Sequence, residues 1–245
     1  MKVLATYNIK GGVGKTSTAV NLAYLSAREG ARTLLWDLDP QAAATFLFRI
    51  RPRVKGGGHA LVTRKRPIEE ALKATDFENL DLLPADFSYR NMDLDLDDTK
   101  KRTRRLGQLL ETLTGEYDVV FLDCPPSISL VSENVLHAAD LLLVPLIPTT
   151  LSLRTFAQLT RFVADSPGHR PEVVAFFSMA DRRKRLHREV IEAIPRDRTR
   201  VASTVIPALS IIEQMAERRA PVPAFAPASR AAQCYEELWA EVRPT

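Results

Sequence analysis

The chain has 245 residues, of which 45% are hydrophobic and 26% charged, with a formal net charge of +4. This composition is typical of a folded globular protein and excludes a disordered or fibrous chain. Single hydrophobic cores usually stop growing at roughly 250 to 300 residues. The length therefore predicts one domain over residues 1–245.

Only two cysteines are present, Cys124 and Cys234, and they lie far apart in the sequence. This spacing excludes a disulfide framework and a cysteine-based zinc site. Residues 1–5 show no cleavable signal pattern, and no uninterrupted apolar run reaches about 18 residues. We therefore expect a cytoplasmic protein that does not span a membrane.

Basic residues are concentrated in two stretches. Residues 181–200 contain eight Lys or Arg against four Asp or Glu. Residues 51–66 contain no acid and the following cations: Arg51, Arg53, Lys55, Arg64, Lys65 and Arg66. Such concentrated charge predicts a polyanionic partner, while a solvated basic surface is the alternative. The sequence leaves both readings open.

Apolar runs of strand length alternate with amphipathic stretches along the chain. The predicted strands are 3–7, 33–36, 80–83, 119–122, 141–144, 173–177 and 201–206. The predicted helices, with apolar residues three and four apart, are 16–28, 104–113, 153–164, 186–194 and 230–242. Since several strands are apolar on both faces, we expect an α/β fold with a doubly wound, mainly parallel sheet flanked by helices.

Glycine and proline mark two connections between these elements. The glycine run 56–58 lies inside the basic stretch 51–66 and predicts a flexible loop. The prolines at 221, 223 and 227 predict an extended connection before the last helix.

The strongest motif lies between the first predicted strand and the first predicted helix. Its sequence is Lys10-Gly11-Gly12-Val13-Gly14-Lys15-Thr16-Ser17. Glycines let successive backbone N–H groups face a phosphate chain, and the start of the helix adds its positive dipole end. In such a loop Lys15 reaches the outer phosphates and the hydroxyl of Thr16 binds Mg²⁺. The standard pattern, GxxxxGK[ST], has glycine where this chain has Ile9.

Carboxylates follow two of the predicted strands. Asp37 and Asp39 end the apolar run that begins at Leu34, and Asp123 ends the run that begins at Val119. A carboxylate at the carboxyl edge of a strand beside the phosphate loop can orient or deprotonate an attacking water, or reach Mg²⁺. We expect Asp39 to act on the water, Asp123 to reach Mg²⁺, and Asp37 to support Mg²⁺ or the loop.

Together these residues resemble the ParA and MinD group of ATPases. The sequence KGGxGK[ST] is their deviant Walker A motif, and the segments ending in Asp39 and Asp123 resemble their Walker A′ and Walker B motifs. The resemblance implies ATP and Mg²⁺ as ligands and a homodimer that forms on ATP binding. It also implies that Lys10 contacts the phosphates held by the other subunit, that Asp39 is the hydrolytic aspartate, and that Met179 and Pro207 lie in the loops that hold adenine.

The resemblance extends over nearly the whole chain and implies a task as well as a chemistry. Members without an added DNA-reading domain bind DNA non-specifically as ATP dimers and position plasmids, chromosomes or protein assemblies over the nucleoid. A ParB-like or other cargo adaptor then stimulates hydrolysis and releases the dimer. Arg183 matches a DNA-contacting position, and neighbouring cations extend the patch: Arg182, Lys184, Arg185 and Arg188.

The chain departs from this pattern after Pro207. Many relatives carry arginines there, whereas residues 208–211 have none. Part of the expected DNA surface is therefore missing or displaced. Arg218, Arg219 and Arg230 are the candidates to replace it.

Three other readings share the phosphate-site motifs. A MinD-like membrane-cycling ATPase would use a basic amphipathic C-terminal helix, whereas 230–242 contains Glu236, Glu237 and Glu241, so we expect no stable membrane association. A nitrogenase-type iron protein would hold an iron–sulfur cluster with two cysteines from each subunit. Cys124 and Cys234 have the right number for such a cluster but not the right placement. An accessory ATPase of a secretion or biosynthetic system would keep the fold and change only the partner.

Overall fold

The computed structural model describes residues 1–193 and 201–244. The strands are β1 (Lys2–Thr6), β2 (Thr33–Asp37), β3 (Lys73–Ala74), β4 (Leu80–Leu83), β5 (Val119–Asp123), β6 (Leu141–Leu146), β7 (Glu172–Ala180) and β8 (Val201–Pro207). They form one sheet in the order β3-β4-β2-β5-β1-β6-β7-β8. Every neighbouring pair is parallel except β3 and β4, which are antiparallel.

Helices cover both faces of this sheet. They are α1 (Lys15–Arg28), α2 (Ala43–Leu47), α3 (Gly57–Val62), α4 (Met92–Asp97), α5 (Arg105–Leu110), α6 (Leu130–Ala138), α7 (Thr150–Asp165), α8 (Arg185–Ala193), α9 (Ser210–Glu213), α10 (Met215–Arg218), α11 (Val222–Phe225) and α12 (Arg230–Val242). Three short 3₁₀ helices span Ile68–Ala71, Phe87–Asn91 and Glu111–Leu113. The doubly wound, mainly parallel sheet predicted from the sequence is confirmed.

The central strands bury both faces, as their continuous apolar runs predicted. Along β2, Leu35 packs into one core cluster and Trp36 into the other, and both side chains are fully buried. Side chains alternate between the two faces of a strand, so a strand apolar at every position needs a helical layer on each side. The helices α1 and α12 pack on the face that contains Leu35.

Two loop predictions were wrong. The glycine run 56–58 begins helix α3, because Gly56 and Gly57 adopt positive φ angles and turn the chain into it. Residues 222–225 form the short helix α11, since Pro223 stands in its first turn, where a missing N–H costs nothing. Ile194, the last residue of the predicted helix 186–194, lies outside the described residues.

Helix starts differ in a way that matters for the site. Ser129, Thr149 and Ser229 cap α6, α7 and α12 with their side-chain hydroxyls. Helix α1 begins after Gly14, and no side chain caps it. The first N–H groups of α1 are therefore open to a ligand.

Within the described residues, no helix is long and apolar enough to cross a bilayer.

Truncation of a core side chain on β2 tests the two-sided burial. We expect Leu35→Ala to lower the free energy of unfolding by about 2–5 kcal/mol, because it leaves a cavity in a fully buried layer. Leu94→Ala is the matched control, since Leu94 is 71% exposed and surface substitutions usually change stability by at most about 0.5 kcal/mol. Chemical denaturation measures both, and equal losses would contradict this assignment of the core.

Candidate functional site

The phosphate loop, residues 10–14, leaves the central strand β1 and enters α1. Gly12 and Gly14 have φ angles of 68° and 92°, a region that glycine adopts without strain. A Cβ added at Gly14 would lie 2.7 Å from the hydroxyl oxygen of Ser178. Glycine at position 14 thus provides both the backbone turn and the close approach to β7.

Asn8 fixes the start of the loop, a role that sequence reasoning missed. Its side-chain oxygen accepts a hydrogen bond from the N–H of Lys10 at 2.9 Å, and its amide nitrogen donates to the carbonyl of Pro145 at 2.8 Å. Asn8 is buried, and its bond to Pro145 is shielded from water. It ties the loop to β6, and a polar residue directly after an apolar strand was the available signal.

The two lysines of the motif occupy different environments. Lys15 is buried, and its ammonium group donates to the carbonyl oxygen of Lys10 at 3.2 Å. Burial lowers the pKa of Lys15, while the negative charges of Asp123 and Asp39 oppose that shift. The side chain of Lys10 is exposed, so only its backbone serves its own loop.

Asp37 and Asp123 lie side by side at the carboxyl edge of the sheet, paired in register across β2 and β5. Asp37 accepts hydrogen bonds from the N–H and the hydroxyl of Thr45, at 2.8 and 2.7 Å, and from the N–H of Asp39 at 3.2 Å. Burial raises the pKa of Asp37 to about 6 despite these bonds. Asp37 therefore holds α2 and the Asp39 loop in place, whereas its expected support of the phosphate loop stays a prediction.

Asp123 is fully buried and incompletely satisfied. One carboxylate oxygen accepts from the hydroxyl of Thr6 at 3.4 Å, and the other has no hydrogen-bond partner among the described residues. Burial raises the pKa of Asp123 well above its usual range, and the charge of Asp37 adds to the shift, while Thr16 and Lys15 lower it. A buried carboxylate oxygen left open in this way favours a cation.

The residues present fit Mg²⁺. Within residues 1–193 and 201–244, no three His, Cys, Asp or Glu side chains are grouped to hold a metal by themselves. Mg²⁺ is usually held by one or two protein oxygens together with phosphate oxygens and waters. Asp123 and the hydroxyl of Thr16 are the groups that would contribute here. Direct binding by Asp37 stays a prediction, since its oxygens already accept bonds from the protein.

Asp39 borders the cavity that the phosphate loop encloses. This cavity has a volume of about 250 Å³ and is lined by residues 11–17 together with Asp39 and Pro126. One carboxylate oxygen of Asp39 accepts from the N–H of Gln41 at 2.9 Å. The residue predicted to act on the attacking water is thus placed at the phosphate cavity.

A second cavity, of about 260 Å³, adjoins the first and shares Gly12, Gly14 and Ser17 with it. Met179 and Pro207, predicted to lie beside adenine, line it, and Met179 has a φ angle of 54°, uncommon for a residue with a side chain. Sequence reasoning missed several further lining residues: Ile206, Ala208, Leu209, Ile212 and Tyr235. The shape and the largely apolar lining suit a nucleoside next to the phosphate cavity.

The predicted DNA-binding cations form an exposed cluster before and along α8. Arg183 donates to both carboxylate oxygens of Asp181, each at 3.0 Å. That contact lowers the pKa of Asp181 to about 2. Arg185 pairs with Glu189 at 2.6 Å, and Arg188 donates to the carbonyl oxygen of Arg182. The cluster exists, but part of its charge is already paired.

Of the three candidates for a replacement surface, Arg218 is exposed, while the other two have partners. Arg219 lies over the ring of Phe46, 4.3 Å from its centroid, and donates to the carbonyl oxygen of the same residue. Arg230 pairs with Glu237 at 2.8 Å. Neither residue presents a free cation close to residues 208–211.

Both cysteines are buried and free. Burial raises the pKa of each thiol, so neither is an activated thiolate. This supports a packing role for Cys124 and Cys234 and gives no support to an iron–sulfur site.

A methyl group at position 14 tests the loop geometry. We expect Gly14→Ala to abolish ATP binding, because the substitution strains a φ of 92° and pushes against Ser178. Gly30→Ala is the control, since Gly30 has a φ of 94° and open space around it; it should cost about 1–2 kcal/mol of stability and leave ATP affinity unchanged. Titration with a fluorescent ATP analogue measures both, and normal affinity for Gly14→Ala would contradict the geometry.

Comparison with known proteins agrees with this site. Residues 1–168 match the family described as "AAA domain". The chain is 34% identical over 247 residues to the sporulation initiation inhibitor protein Soj of Bacillus subtilis, an alignment covering 98% of each protein. It is 35% identical over 201 residues to the chromosome partitioning protein ParA of Caulobacter vibrioides, covering 79% of this chain and 75% of that protein.

Solved structures give the same fold. The cobyrinic acid a,c-diamide synthase of Mycobacterium smegmatis, solved with an ATP analogue and magnesium, superimposes with a TM-score of 0.84 at 30% identity, covering 98% of this chain and 93% of that one. The septum site-determining protein MinD of Pyrococcus horikoshii, solved with Mg-ADP, gives a TM-score of 0.78 at 20% identity, covering 99% and 96%. At that lower identity the likeness shows the fold alone.

The glycine loop, the carboxylates beside it and the nucleoside cavity thus lie in a sequence that aligns with Soj and ParA over most of its length, and the chain belongs to the ParA/Soj family of P-loop ATPases, with ATP and Mg²⁺ as its ligands.

Proposed function

We propose that this ATPase dimerises on binding ATP and Mg²⁺, binds DNA non-specifically in that state and thereby positions or segregates a cargo. The observation that carries the proposal is the contrast between its two lysines. Lys15 is buried in its own phosphate site, whereas the side chain of Lys10 is exposed at the same loop. A second copy can therefore receive Lys10 at its phosphates.

Electrostatics favour such a dimer only when nucleotide is present. Two triphosphates brought face to face concentrate negative charge, and an added cation from each partner offsets it. Without nucleotide, the exposed lysines of two copies would repel each other. ATP thus acts as the switch between one chain and two.

Hydrolysis in this proposal depends on Lys15 and Asp39, with Lys10 from the partner. Asp39 lies on a loop held by Asp37 and Gln41, beside the phosphate cavity. Turnover is slow until a ParB-like or other cargo adaptor acts on the dimer. Hydrolysis then separates the subunits and ends DNA binding.

The DNA surface assigned to the dimer is the cluster Arg182, Arg183, Lys184, Arg185 and Arg188. These side chains are exposed, and dimerisation would bring two such clusters together. Contacts to phosphate give affinity without sequence preference. The protein would accordingly act in the cytoplasm, on the nucleoid.

The last helix supports this function over membrane cycling. In α12, Glu236 pairs with Arg28 and Glu237 pairs with Arg230, which gives the helix a mixed-charge outer surface. A membrane-binding helix needs a basic face opposite an apolar one. We therefore expect no stable membrane association, and co-sedimentation with anionic liposomes in the presence of ATP checks it.

DNA binding should follow the nucleotide state. With Mg²⁺ and a non-hydrolysable ATP analogue we expect a short DNA duplex to bind at least about tenfold more tightly than with ADP or without nucleotide, because only the dimer presents two basic clusters. Affinity should fall steeply with salt. Fluorescence anisotropy over a salt series measures it, and equal affinity in all three states would exclude the switch.

Two substitutions separate ATP binding from ATP chemistry. We expect Asp39→Ala to retain ATP binding and ATP-driven dimerisation but to lose turnover by about 100-fold or more, as removal of a general base does. Lys15→Ala should lose ATP binding itself, since it removes the buried cation. Asp98→Ala, at an exposed site at the carboxyl end of α4, is the control and should match the native protein.

Phosphate release and fluorescent-nucleotide titration measure these variants. Native turnover in Asp39→Ala would remove that residue from the mechanism.

A further inference from the structure

The basic stretch 51–66 does not line the phosphate cavity or the cavity beside it. Three of its six cations, Arg51, Arg53 and Lys55, line a groove elsewhere on the surface. Two cavities, of about 600 and 470 Å³, share Ile50 and Arg51 and so form one continuous depression. Its cationic lining residues are Arg49, Arg51, Arg53, Lys55, Lys73 and Arg219. The single carboxylate among the lining residues is Glu70.

Four of these cations are exposed and form no salt bridge with a described carboxylate, although Arg53 lies close enough to Asp86 to act on it electrostatically. Arg49 forms a salt bridge with Asp76, and Glu70 forms one with Arg66. Arg219 lies over the ring of Phe46. Among the described carboxylates, none forms a salt bridge with Arg51, Arg53, Lys55 or Lys73. Like charges around one groove repel each other, and a negatively charged ligand relieves that repulsion.

The groove has more than charge. Ile50, Pro52, Ala71 and Ala74 add apolar surface to its lining. A ligand that consists only of phosphates would leave this surface unused. A ligand with both acidic and apolar side chains would use all of it.

An open strand edge runs along the groove. Among the described strands, β3 ends the sheet and pairs with β4 alone. The N–H of Thr75 donates to the carbonyl of Leu80, so by the alternation of an antiparallel pair the N–H and C=O of Ala74 point away from β4. A peptide backbone can pair with such an edge, which a nucleic acid cannot do in the same way.

The other end of the groove reaches the catalytic loop. Gln41 and Ala42 line it, and Gln41 donates its N–H to the carboxylate of Asp39. Ala42 has a φ of 58°, which places the turn after Asp39 in a conformation that alanine rarely adopts. A ligand in the groove therefore contacts the segment that orients Asp39.

From these observations we propose that the groove binds an extended acidic peptide carrying apolar side chains, which pairs with the outer edge of β3 and contacts the loop of Asp39. The partner would be a protein segment with alternating acidic and apolar residues. This site is separate from the proposed DNA surface on α8.

A synthetic probe tests it directly. A short fluorescein-labelled peptide of alternating glutamate and leucine should bind the native protein, and Arg51→Glu/Arg53→Glu should weaken it by about tenfold or more. Lys100→Glu/Lys101→Glu makes the same change in net charge at exposed residues away from the groove and should change affinity by less than about twofold. Ala74→Pro, which removes the outward N–H, should also weaken binding. ATP affinity checks that each variant is folded.

Three results would overturn the proposal: no binding of the peptide to the native protein, equal losses in the groove and control variants, or equal binding of a lysine–leucine peptide. A different result is that Arg51→Glu/Arg53→Glu weakens the binding of a DNA duplex and leaves peptide affinity unchanged. The groove is then a nucleic-acid surface, and the peptide assignment is wrong. Failure of nucleotide-dependent DNA binding in the native protein would leave the peptide result standing, so the two proposals fail separately.

Discussion

Three buried charges at the carboxyl edge of the central strands govern this molecule. Asp37 and Asp123 stand side by side across β2 and β5, and Lys15 lies buried near them. Burial raises the pKa of both carboxyl groups and lowers the pKa of the lysine, so each charged form is disfavoured by its surroundings. An Mg²⁺ ion at Asp123 and a phosphate chain at Lys15 would supply the counter-charges that the protein lacks.

The fold is arranged around this requirement. Parallel strands bring their carboxyl ends to one edge, which gathers the phosphate loop and both carboxylates although they come from three separate segments. The uncapped start of α1 adds open N–H groups, and Asn8 and Thr45 hold the loop and Asp37 in position. The buried sheet thus provides the stability, and the N–H groups and charges at its carboxyl edge are left for a ligand.

Glycine spacing and strand-end carboxylates are local signals, so the sequence alone could predict a phosphate site from them, and the structure places these residues at one edge of the sheet. Sequence reasoning did not find Asn8 or Thr45, since their partners are distant or depend on how α2 turns back onto β2. The two-residue strand β3 was also missed, because so short a strand has no periodicity and forms only by pairing with β4. The apolar nucleoside cavity arises from residues near 179, 207 and 235 that meet only in the folded chain.

Charge was the property that sequence alone could least interpret. Both stretches are basic, but 181–200 also contains four acids and 51–66 contains none. Arg183 and Arg185 are paired with neighbouring carboxylates, whereas Arg51 and Arg53 form no salt bridge with any described residue. The paired cluster is a weaker candidate for tight anion binding than its charge count suggested, and the groove beside β3 is a stronger one.

The central claim is that nucleotide decides whether two copies of the chain stay together. Light scattering of the native protein with and without Mg²⁺ and a non-hydrolysable ATP analogue measures this most directly. The predicted result is the mass of one chain without nucleotide and of two chains with it. The mass of a single chain under both conditions would contradict the claim.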